Sequence, residues 1–363
     1  MMTEEHADRV ARLRTRMRES ELDGLVVSAP SNVFYLSGFR GSSGALLITP
    51  EQAALVSDFR YRLQGREQAP AFEFVEVERH LYAGVGRAAS QRGVRRLGYD
   101  AAHLSCEGAD ELSQAAPDLD LVAASSLVEH LRLVKSRCEV DWIRAAAALA
   151  DRALAHIASL VRPGVREREI ALEGEFLMRR EGAEAAAFDV IVASGPRSAL
   201  PHAETTAREL QPGDLVVIDI GARVNGYCSD MTRTFAVKST SPQAREVYDL
   251  VYRAQRAGAG ALRGGIACGE VDAVARSIIE DAGYGEAFGH GLGHGVGIEV
   301  HEAPRLGRGE ETELAPGHIV TIEPGVYLPE LGGVRLEDLL AVGPDGAERL
   351  TGSAMEAEIP IIR

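Results

Sequence analysis

The first third of the chain alternates between a helical pattern and short apolar runs. A charged, amphipathic segment up to about residue 21 predicts a helix. Four apolar runs follow it along the chain, GLVVSAP, GALLITP, AALVSDF and EFVEVE. Short runs bounded by turn-forming residues are typical of strands. The pattern therefore predicts an α/β domain at this end.

The rest of the chain combines long helical segments with apolar strand segments. Apolar segments bounded by Gly, Pro and Asn predict strands, several of them in antiparallel hairpins. A length of 363 residues suits two domains. We expect a boundary near residue 133, with an α/β domain over 1–132 and an α+β domain over 133–363. Helices are predicted in the alanine-rich stretch that ends near residue 157 and over 165–183, 242–263 and 269–283.

One predicted hairpin, DLVVIDIGARVNGYCSDMTRTFAV, contains two acids among apolar residues. The pair Asn225-Gly226 is a strong signal for a two-residue turn. This turn places Asp219 opposite Thr232, so that Asp219 and Asp230 are diagonal neighbours within roughly 7 to 8 Å. Two carboxylates this close to an apolar strand repel each other unless a cation lies between them. Solvation of both acids at a sheet edge is the alternative explanation.

A second predicted hairpin repeats this pattern. The segment HIVTIEPGVYL has Glu323 at the end of an apolar strand, just before a proline. The segment GVRLEDLLAV places Arg335 and Glu337 on one face by two-residue alternation, which an ion pair would also explain. Four acids in two apolar hairpins are a stronger signal than any one of them.

The segment HGLGHGVGIEVHEAPR, residues 290–305, separates histidines by glycines. Its glycine content excludes a stable helix, and with it two histidines one helical turn apart. Such a segment suits close approach to other backbone, with His290 and His294 on the same side where it is extended. A surface loop is the alternative. The four acids lack only a nitrogen ligand, however, and one of these imidazoles would supply it.

The candidate ligands favour two metal ions over one. Four carboxylates and one imidazole are too many ligands for a single small ion, and the four negative charges offset two divalent cations. Oxygen donors with one nitrogen favour Mn²⁺, with Co²⁺ or Zn²⁺ as alternatives. A pair of such ions lowers the pKa of a water molecule and polarises a carbonyl group. The reaction class indicated is metal-assisted hydrolysis.

Charge and composition limit the partners. The formal net charge of −15 disfavours nucleic acid and anionic membrane surfaces. No apolar run reaches the roughly 18 residues of a membrane span, and no signal peptide is evident. The 4 cysteines are scattered without a CxxC pair, which indicates a reducing compartment. We expect a cytoplasmic protein that binds neither nucleic acid nor membranes.

The same segments resemble the metal-binding motifs of the pita-bread metallopeptidases, which include methionine aminopeptidase, aminopeptidase P and prolidase. The resemblance rests on DIGARVNGYCSDMTRTF, GHGLGHGVGIEVHEAP, TIEPGVY and GGVRLED, in matching order and spacing. The N-terminal SNVFYLSGFRGSSG and SDFRY resemble the creatinase-type domain of aminopeptidase P and prolidase. The resemblance implies an α/β creatinase-like N-terminal domain followed by an α+β pita-bread catalytic domain.

This resemblance implies a complete set of metal ligands. Asp219 and Asp230 would bind one ion, and His294 and Glu323 the other. Asp230 and Glu337 would bridge the two ions. Glu323 would also handle the proton of the attacking water.

The resemblance further implies roles for residues that do not bind metal. His202 matches a histidine near the leaving-group nitrogen, and His301 matches one that stabilises the tetrahedral intermediate. His290 and Arg335 match residues that shape the proline-side pocket and hold the bridging acid. Without the resemblance, His202 would be assigned to an ordinary loop.

Two activities on small proline-containing peptides remain open, both cleaving the bond before proline. An Xaa-Pro dipeptidase must recognise a free carboxylate, and Arg305 stands where prolidases often have an arginine for this purpose. Arg308 is a competing candidate. We favour the dipeptidase; an Xaa-Pro aminopeptidase is the alternative, and a metal-free peptide-binding protein is a more distant one. The family also implies a homodimer.

Overall fold

The computed structural model describes residues 2–362. The contacts between residues divide it into two compact units, and the division falls between Arg132 and Leu133. Each unit has its own sheets and its own apolar core. None of the helices within residues 2–362 combines the length and the apolar character needed to cross a membrane.

The first unit is built on one mixed sheet. Its strands are β1 (Gly24–Val27), β2 (Ala45–Ile48), β3 (Ala53–Asp58), β4 (Glu73–Val77), β5 (Arg96–Tyr99) and β6 (Asp120–Ala123). Its helices are α1 (Met2–Glu19), α2 (Pro30–Ser37), α3 (Arg62–Gln68), α4 (Leu81–Gln91), α5 (Cys106–Ala115) and α6 (Glu129–Arg132). The strand order is β4-β3-β2-β1-β5-β6, with β2 antiparallel to both of its neighbours. The predicted α/β class is confirmed for this part of the chain.

Burial explains why the central strands of this sheet are continuous apolar runs. Every residue of β1 and β2 is buried, so both faces of these strands are covered. Helix α4 and helix α5 contribute Val85 and Leu112 to the same core as Val26 and Leu47. The predicted first helix ends at Glu19, two residues before the expected limit.

The second unit contains longer helices and several small sheets. Its helices are α7 (Arg137–Ala158), α8 (Glu167–Arg180), α9 (Pro242–Ala261) and α10 (Cys268–Asp281). Its strands are β7 (Ala185–Ala186), β8 (Ile191–Ser194), β9 (Leu215–Asp219), β10 (Ala222–Val224), β11 (Tyr227–Cys228), β12 (Thr232–Val237), β13 (Gly293–Gly295), β14 (Glu302–Leu306), β15 (Ile319–Ile322), β16 (Gly325–Leu328), β17 (Gly332–Arg335), β18 (Asp338–Val342), β19 (Ala347–Arg349) and β20 (Ile361–Ile362). The sheet orders are β20-β12-β9-β8, β14-β13-β15-β18-β19, β11-β10-β7 and β16-β17.

The long helices cover the sheets of this unit. Helix α7 begins with a reciprocal cap, in which the Ser136 hydroxyl accepts a hydrogen bond from the Glu139 N–H and the Glu139 carboxylate accepts one from the Ser136 N–H. Its apolar face packs with α8 and β9 in one core. Helices α9 and α10 form a second core with β15 and β18. The predicted α+β class is confirmed.

The hairpin that contains Asp219 and Asp230 is interrupted. Asp219 lies opposite Thr232, as the predicted turn requires. Both strands nevertheless break near the acids, and their two halves join different sheets. Gly221 allows the chains to approach at this break, because a Cβ atom there would lie 2.0 Å from the carbonyl oxygen of Ser229. Asp230 therefore lies in a gap of the strand pairing.

The second hairpin is interrupted in the same way. Glu323 follows the end of a strand, as expected, but GVRLEDLLAV is not the single strand whose alternation was expected to put Arg335 and Glu337 on one face. Strand β15 pairs with β18, whereas β16 pairs with β17 in a separate sheet. The break on one side holds Glu323 and Pro324, and the break on the other side holds Leu336 and Glu337. Pro324 has no N–H to donate to a partner strand, which favours a break at this point. Two acids again lie where the pairing is interrupted.

The middle of the glycine-rich segment, Gly293–Gly295, is a central strand and not a surface loop. Strand β13 lies between β14 and β15. A Cβ atom at Gly293 would lie 2.0 Å from the carbonyl oxygen of Thr321, and one at Gly295 would lie 2.2 Å from that of Ala303. The expected close approach of backbones is confirmed. His294 lies in this strand, but His290 precedes it and lies outside the extended part.

We expect His318 to make the stability of the protein depend on pH. Burial first, and the charge of Lys135 second, lower the pKa of His318 to about 4. Its Nδ1 accepts a hydrogen bond from the Ala315 N–H, which requires the neutral ring. Because the ordinary pKa is about 6.5, the stabilisation by the neutral ring is complete above that pH and is lost as the pH falls towards 4.

Urea unfolding at pH 7 and pH 4.5 measures this effect. His318→Gln should lose less unfolding free energy between these two pH values than the wild type. The exposed His156→Gln serves as the control and should behave like the wild type. An unchanged pH dependence in His318→Gln would contradict the assignment.

Candidate metal centre

Three side chains of metal-ligand type meet in the second unit. One carboxylate oxygen of Asp230, one of Glu337 and a ring nitrogen of His294 all lie within 4.8 Å of one another. Asp230 and Glu337 are only 5% and 2% exposed. They come from the breaks of the two hairpins, and His294 comes from β13. The tertiary structure thus collects ligands from three distant segments at one point.

The two buried acids are held where ionisation is unfavourable. Burial is the main cause that raises the pKa of Asp230 well above its usual range, and the charges of Glu337 and Asp219 add to it. Burial also raises the pKa of Glu337, followed by the charges of Glu323 and Asp219. A nearby cation would remove this penalty by favouring the charged forms.

Glu323 and His294 form an ion pair beside these acids. Their Oε1 and Nε2 atoms are 3.3 Å apart. Burial alone would raise the pKa of Glu323, but the hydrogen bond and the charge of His294 outweigh it and lower that pKa. Burial likewise opposes the charged form of His294, yet the contact with Glu323 raises its pKa. The Thr321 hydroxyl contacts both residues. It donates a hydrogen bond to the Glu323 carboxylate at 3.2 Å and accepts one from the backbone N–H of His294 at 3.1 Å.

Asp219 has one satisfied and one unsatisfied oxygen. Its Oδ2 accepts a hydrogen bond of 2.7 Å from Arg335 Nη2. Its Oδ1 is buried and has no hydrogen-bond partner among the described residues. A buried carboxylate oxygen without a donor is unfavourable, and an ion or a water molecule would satisfy it. Asp219 therefore fits a ligand position.

The expected contact between Arg335 and a bridging acid is indirect. The guanidinium binds Asp219, which the resemblance assigns to a non-bridging position. Its Nε donates to Thr232 Oγ1 at 3.1 Å, and this hydroxyl donates to Glu337 Oε2 at 2.7 Å. Thr232 thus connects the arginine to Glu337.

His290 belongs to a hydrogen-bonded chain that ends at Asp219. Its Nδ1 donates to the Gly291 carbonyl at 2.7 Å, so its Nε2 is left to accept from the Tyr327 hydroxyl at 3.0 Å. The Tyr327 oxygen accepts in turn from Arg335 Nη1 at 3.1 Å. Burial is the main cause that lowers the pKa of His290, which agrees with a neutral ring.

The two remaining histidines lie near other imidazoles of this site but keep access to solvent. The His301 ring centroid is 4.4 Å from that of His294. Burial first, and then the charges of His294 and His202, lower the pKa of His301. His202 lies in an exposed turn, close enough to act on the pKa of both His290 and His301.

The two candidate arginines differ in their surroundings. Arg305 lies opposite His294 in the pairing of β13 with β14, and opposed residues project to the same face of a sheet. Arg305 is exposed, and no side chain among the described residues pairs with it. Arg308 instead forms an ion pair with Glu280. Arg305 is therefore the better placed of the two for an added anion.

Sequence reasoning missed three side chains that hold the site together. Tyr327, Thr232 and Thr321 each bond directly to a predicted site residue. All three lie within the apolar strand segments that hold the acids. Their polar groups at buried strand positions were the available signal, because a buried hydroxyl needs a partner.

The chain matches two family models. Residues 141–344 match metallopeptidase family M24, and residues 9–134 match the creatinase/prolidase N-terminal domain. The chain belongs to metallopeptidase family M24. The resemblance to the pita-bread metallopeptidases is confirmed at this level, and the family implies divalent metal ions. The protein is a metallopeptidase.

Individual relatives are similar to this chain in sequence and structure over almost its whole length. An Xaa-Pro dipeptidase of Pyrococcus horikoshii is 37% identical over 96% of this chain and 98% of its own. The structure of an Xaa-Pro dipeptidase from Bacillus anthracis is 40% identical, with a TM-score of 0.95 over 98% of this chain and 100% of that chain. The structure of an X-Pro aminopeptidase from Thermotoga maritima is 33% identical, with a TM-score of 0.87 over 96% and 100% of the two chains.

Tyr327→Phe tests the hydrogen-bonded chain. Without the hydroxyl, His290 Nε2 loses its donor and Arg335 loses an acceptor, so we expect unfolding free energy to fall by roughly 1–3 kcal/mol. Tyr248→Phe is the matched control, because its hydroxyl donates to the Glu356 carbonyl away from the acids. Both variants should lose stability in urea unfolding, but only Tyr327→Phe should lower kcat/KM for peptide hydrolysis. Equal kinetics in the two variants would contradict a role in the site.

Proposed function

We propose that this protein is an Xaa-Pro dipeptidase that hydrolyses the bond before a C-terminal proline. The observation that supports the proposal most is the buried meeting point of Asp230, His294 and Glu337. The relatives named as Xaa-Pro dipeptidases cover nearly the whole chain and include an aligned structure with a TM-score of 0.95. An Xaa-Pro aminopeptidase is the second candidate, because a structure of that name also aligns over 96% of the chain.

We assign two divalent ions, Mn²⁺ in preference to Co²⁺ or Zn²⁺, to the carboxylate-rich site. Asp219 and Asp230 would hold one ion, and His294 and Glu323 the other. Glu337 and Asp230 would bridge them. The unsatisfied Oδ1 of Asp219 and the raised pKa of Asp230 support this assignment, since a cation relieves both. Bound there, the ions would lower the pKa of a water molecule and polarise the peptide carbonyl.

The remaining side chains would handle protons and orient the peptide. Glu323, paired with His294, would take the proton of the attacking water at its carboxylate. His301 would donate a hydrogen bond to the oxygen of the tetrahedral intermediate, and His202 would lie near the departing nitrogen. Both rings keep access to solvent, as residues that contact a peptide require.

Arg305 would distinguish a dipeptide from a longer peptide. A guanidinium binds a carboxylate through two parallel hydrogen bonds, which suits the free end of a dipeptide. Its exposure, its lack of a partner among the described residues and its place opposite His294 support this role. His290 and Arg335 would shape the proline-side pocket through their shared contact with Tyr327.

We further propose that residues 1–132 form the creatinase-like N-terminal domain and residues 133–363 the catalytic domain. Small proline-containing peptides are the proposed substrates. The cytoplasmic location and the homodimer expected from the sequence remain predictions.

The choice between the two activities is tested by Mn²⁺-supported hydrolysis of Ala-Pro and of Ala-Pro-Ala, followed by release of free alanine. A dipeptidase cleaves Ala-Pro and leaves Ala-Pro-Ala nearly intact. Arg305→Ala should raise KM for Ala-Pro by about tenfold to a hundredfold, because a charge-assisted contact is lost. Arg308→Ala is the control and should change KM little. Preferential cleavage of Ala-Pro-Ala would favour the aminopeptidase.

The metal assignment predicts opposite effects of one substitution on two forms of the protein. Glu337→Gln removes a charge from a crowded group of acids, so the chelator-treated protein should unfold at higher urea concentration than the chelator-treated wild type. With Mn²⁺ added, the order should reverse, because a ligand has been lost. Metal content by mass spectrometry should fall below that of the wild type. The exposed Glu348→Gln is the control, and the same stability order with and without Mn²⁺ would refute the assignment.

A further inference from the structure

Helix α10 carries a buried ion pair, Asp272 and Arg276, that the proposed chemistry does not use. The two residues are one helical turn apart, and their side chains are 1% and 7% exposed. Arg276 donates through Nε to Asp272 Oδ2 and through Nη2 to Oδ1, both at 2.7 Å. This two-point contact fixes the plane of the guanidinium.

The same two side chains also form hydrogen bonds with the backbone that leads into β13. Arg276 Nη1 donates to the Phe288 carbonyl at 3.0 Å, and Nη2 donates to the His290 carbonyl at 2.7 Å. Asp272 Oδ1 accepts from the Leu292 N–H at 3.1 Å. The guanidinium carbon also lies 4.1 Å from the centre of the Phe288 ring. Three alternate residues are thus held by one ion pair.

The segment between these contacts runs between two buried side chains, those of Phe288 and Leu292, and is rich in glycine. It contains Gly289 and Gly291, and glycine loses more conformational freedom on ordering than any other residue. A Cβ atom at Gly289 would meet nothing within 4 Å, so close packing does not hold this position. Gly291 does pack closely, since a Cβ atom there would lie 2.7 Å from the Leu306 carbonyl oxygen. Around Gly289, the hydrogen bonds of Arg276 to the flanking carbonyls supply the order that packing does not.

The held segment connects directly to the candidate centre. The Leu292 N–H binds Asp272, and the Leu292 carbonyl accepts the Glu323 N–H at 2.8 Å. His290 supplies one of the two carbonyls that Arg276 binds, and its ring is hydrogen-bonded to the Tyr327 hydroxyl. A shift of this segment would therefore displace an imidazole and the backbone of an acid together.

We propose that Asp272 and Arg276 are positioning residues that set the backbone from Phe288 to Leu292, and through it the places of His290 and Glu323. They contact no substrate in this proposal. The kinetic part of the inference rests on the proposed hydrolysis of Xaa-Pro bonds. The conformational part does not depend on that activity.

The alternative is that the pair only stabilises α10 and its core. The double variant Asp272→Leu/Arg276→Met separates the two roles, because a buried ion pair replaced by apolar residues of similar size often keeps or gains stability. Such a variant retains packing but removes the three hydrogen bonds between the ion pair and the backbone of Phe288, His290 and Leu292. The control is Asp249→Leu/Arg253→Met, which alters an Asp–Arg pair with the same spacing on α9, whose side chains are 58% and 57% exposed.

Hydrogen exchange of metal-free protein, followed by mass spectrometry of peptides from residues 286–297, is the first measurement. The buried-pair variant should exchange at least about tenfold faster there, with α9 and β12 unchanged, while its urea midpoint falls because three backbone groups lose their partners. Its kcat for Ala-Pro should fall by about a hundredfold, with a smaller change in KM, because misplacement of reacting groups acts on the chemical step. The control should match the wild type in both measurements.

Wild-type exchange and wild-type kcat in a folded buried-pair variant would overturn the proposal. Should that variant not fold, Arg276→Lys decides, since lysine retains the charge opposite Asp272 but lacks the planar fork that reaches both carbonyls. Faster exchange of 286–297 in Arg276→Lys supports the proposal, and unchanged exchange overturns it. A wild type that cleaves neither peptide would refute the proposed function, whereas the exchange result would still test the positioning role.

Discussion

Repulsion among buried carboxylates is the constraint on which the second unit depends. Asp230 and Glu337 are almost inaccessible to solvent, and one oxygen of Asp219 has no donor among the described residues. The chain supplies partial compensation, with Arg335 beside Asp219 and His294 beside Glu323. The remaining negative charge makes the arrangement costly by itself and favourable to divalent cations. Affinity for metal and a stability penalty without metal are two results of the same charge distribution.

Interrupted hairpins are how the fold brings these acids together. A continuous strand places its side chains on two faces and gives every backbone group a partner across the ladder. A break lets the chain change sheets, so that Asp230, Glu323 and Glu337 all lie where pairing stops. Backbone hydrogen bonds still form at these points, since the N–H groups of Glu323 and Glu337 donate to the carbonyls of Leu292 and Thr232. The hydroxyl groups of Thr232 and Thr321 donate to the carboxylates of Glu337 and Glu323.

The positions of His290 and His294 depend on a different feature, the close approach of glycine backbone to the backbone of neighbouring strands. Strand β13 fits between its neighbours only because Gly293 and Gly295 have no side chains. Glycine also makes the preceding segment entropically costly to order, and the ion pair on α10 offsets this cost by binding its carbonyl and N–H groups. Tight packing and local order therefore come from different parts of the structure, and His290 and His294 need both.

The sequence by itself determined the features that depend on neighbouring residues. Periodicity predicted the long helices and the apolar strands, the turn at Asn225-Gly226 set Asp219 opposite Thr232, and acids within apolar runs marked the site. Only the tertiary structure decided where the strands break and which distant groups meet. His290 and Tyr327 are 37 residues apart in the chain, and Asp219 and Arg335 are 116 apart. Their contacts follow from the packing of separate sheets, a property to which local propensity and periodicity do not extend.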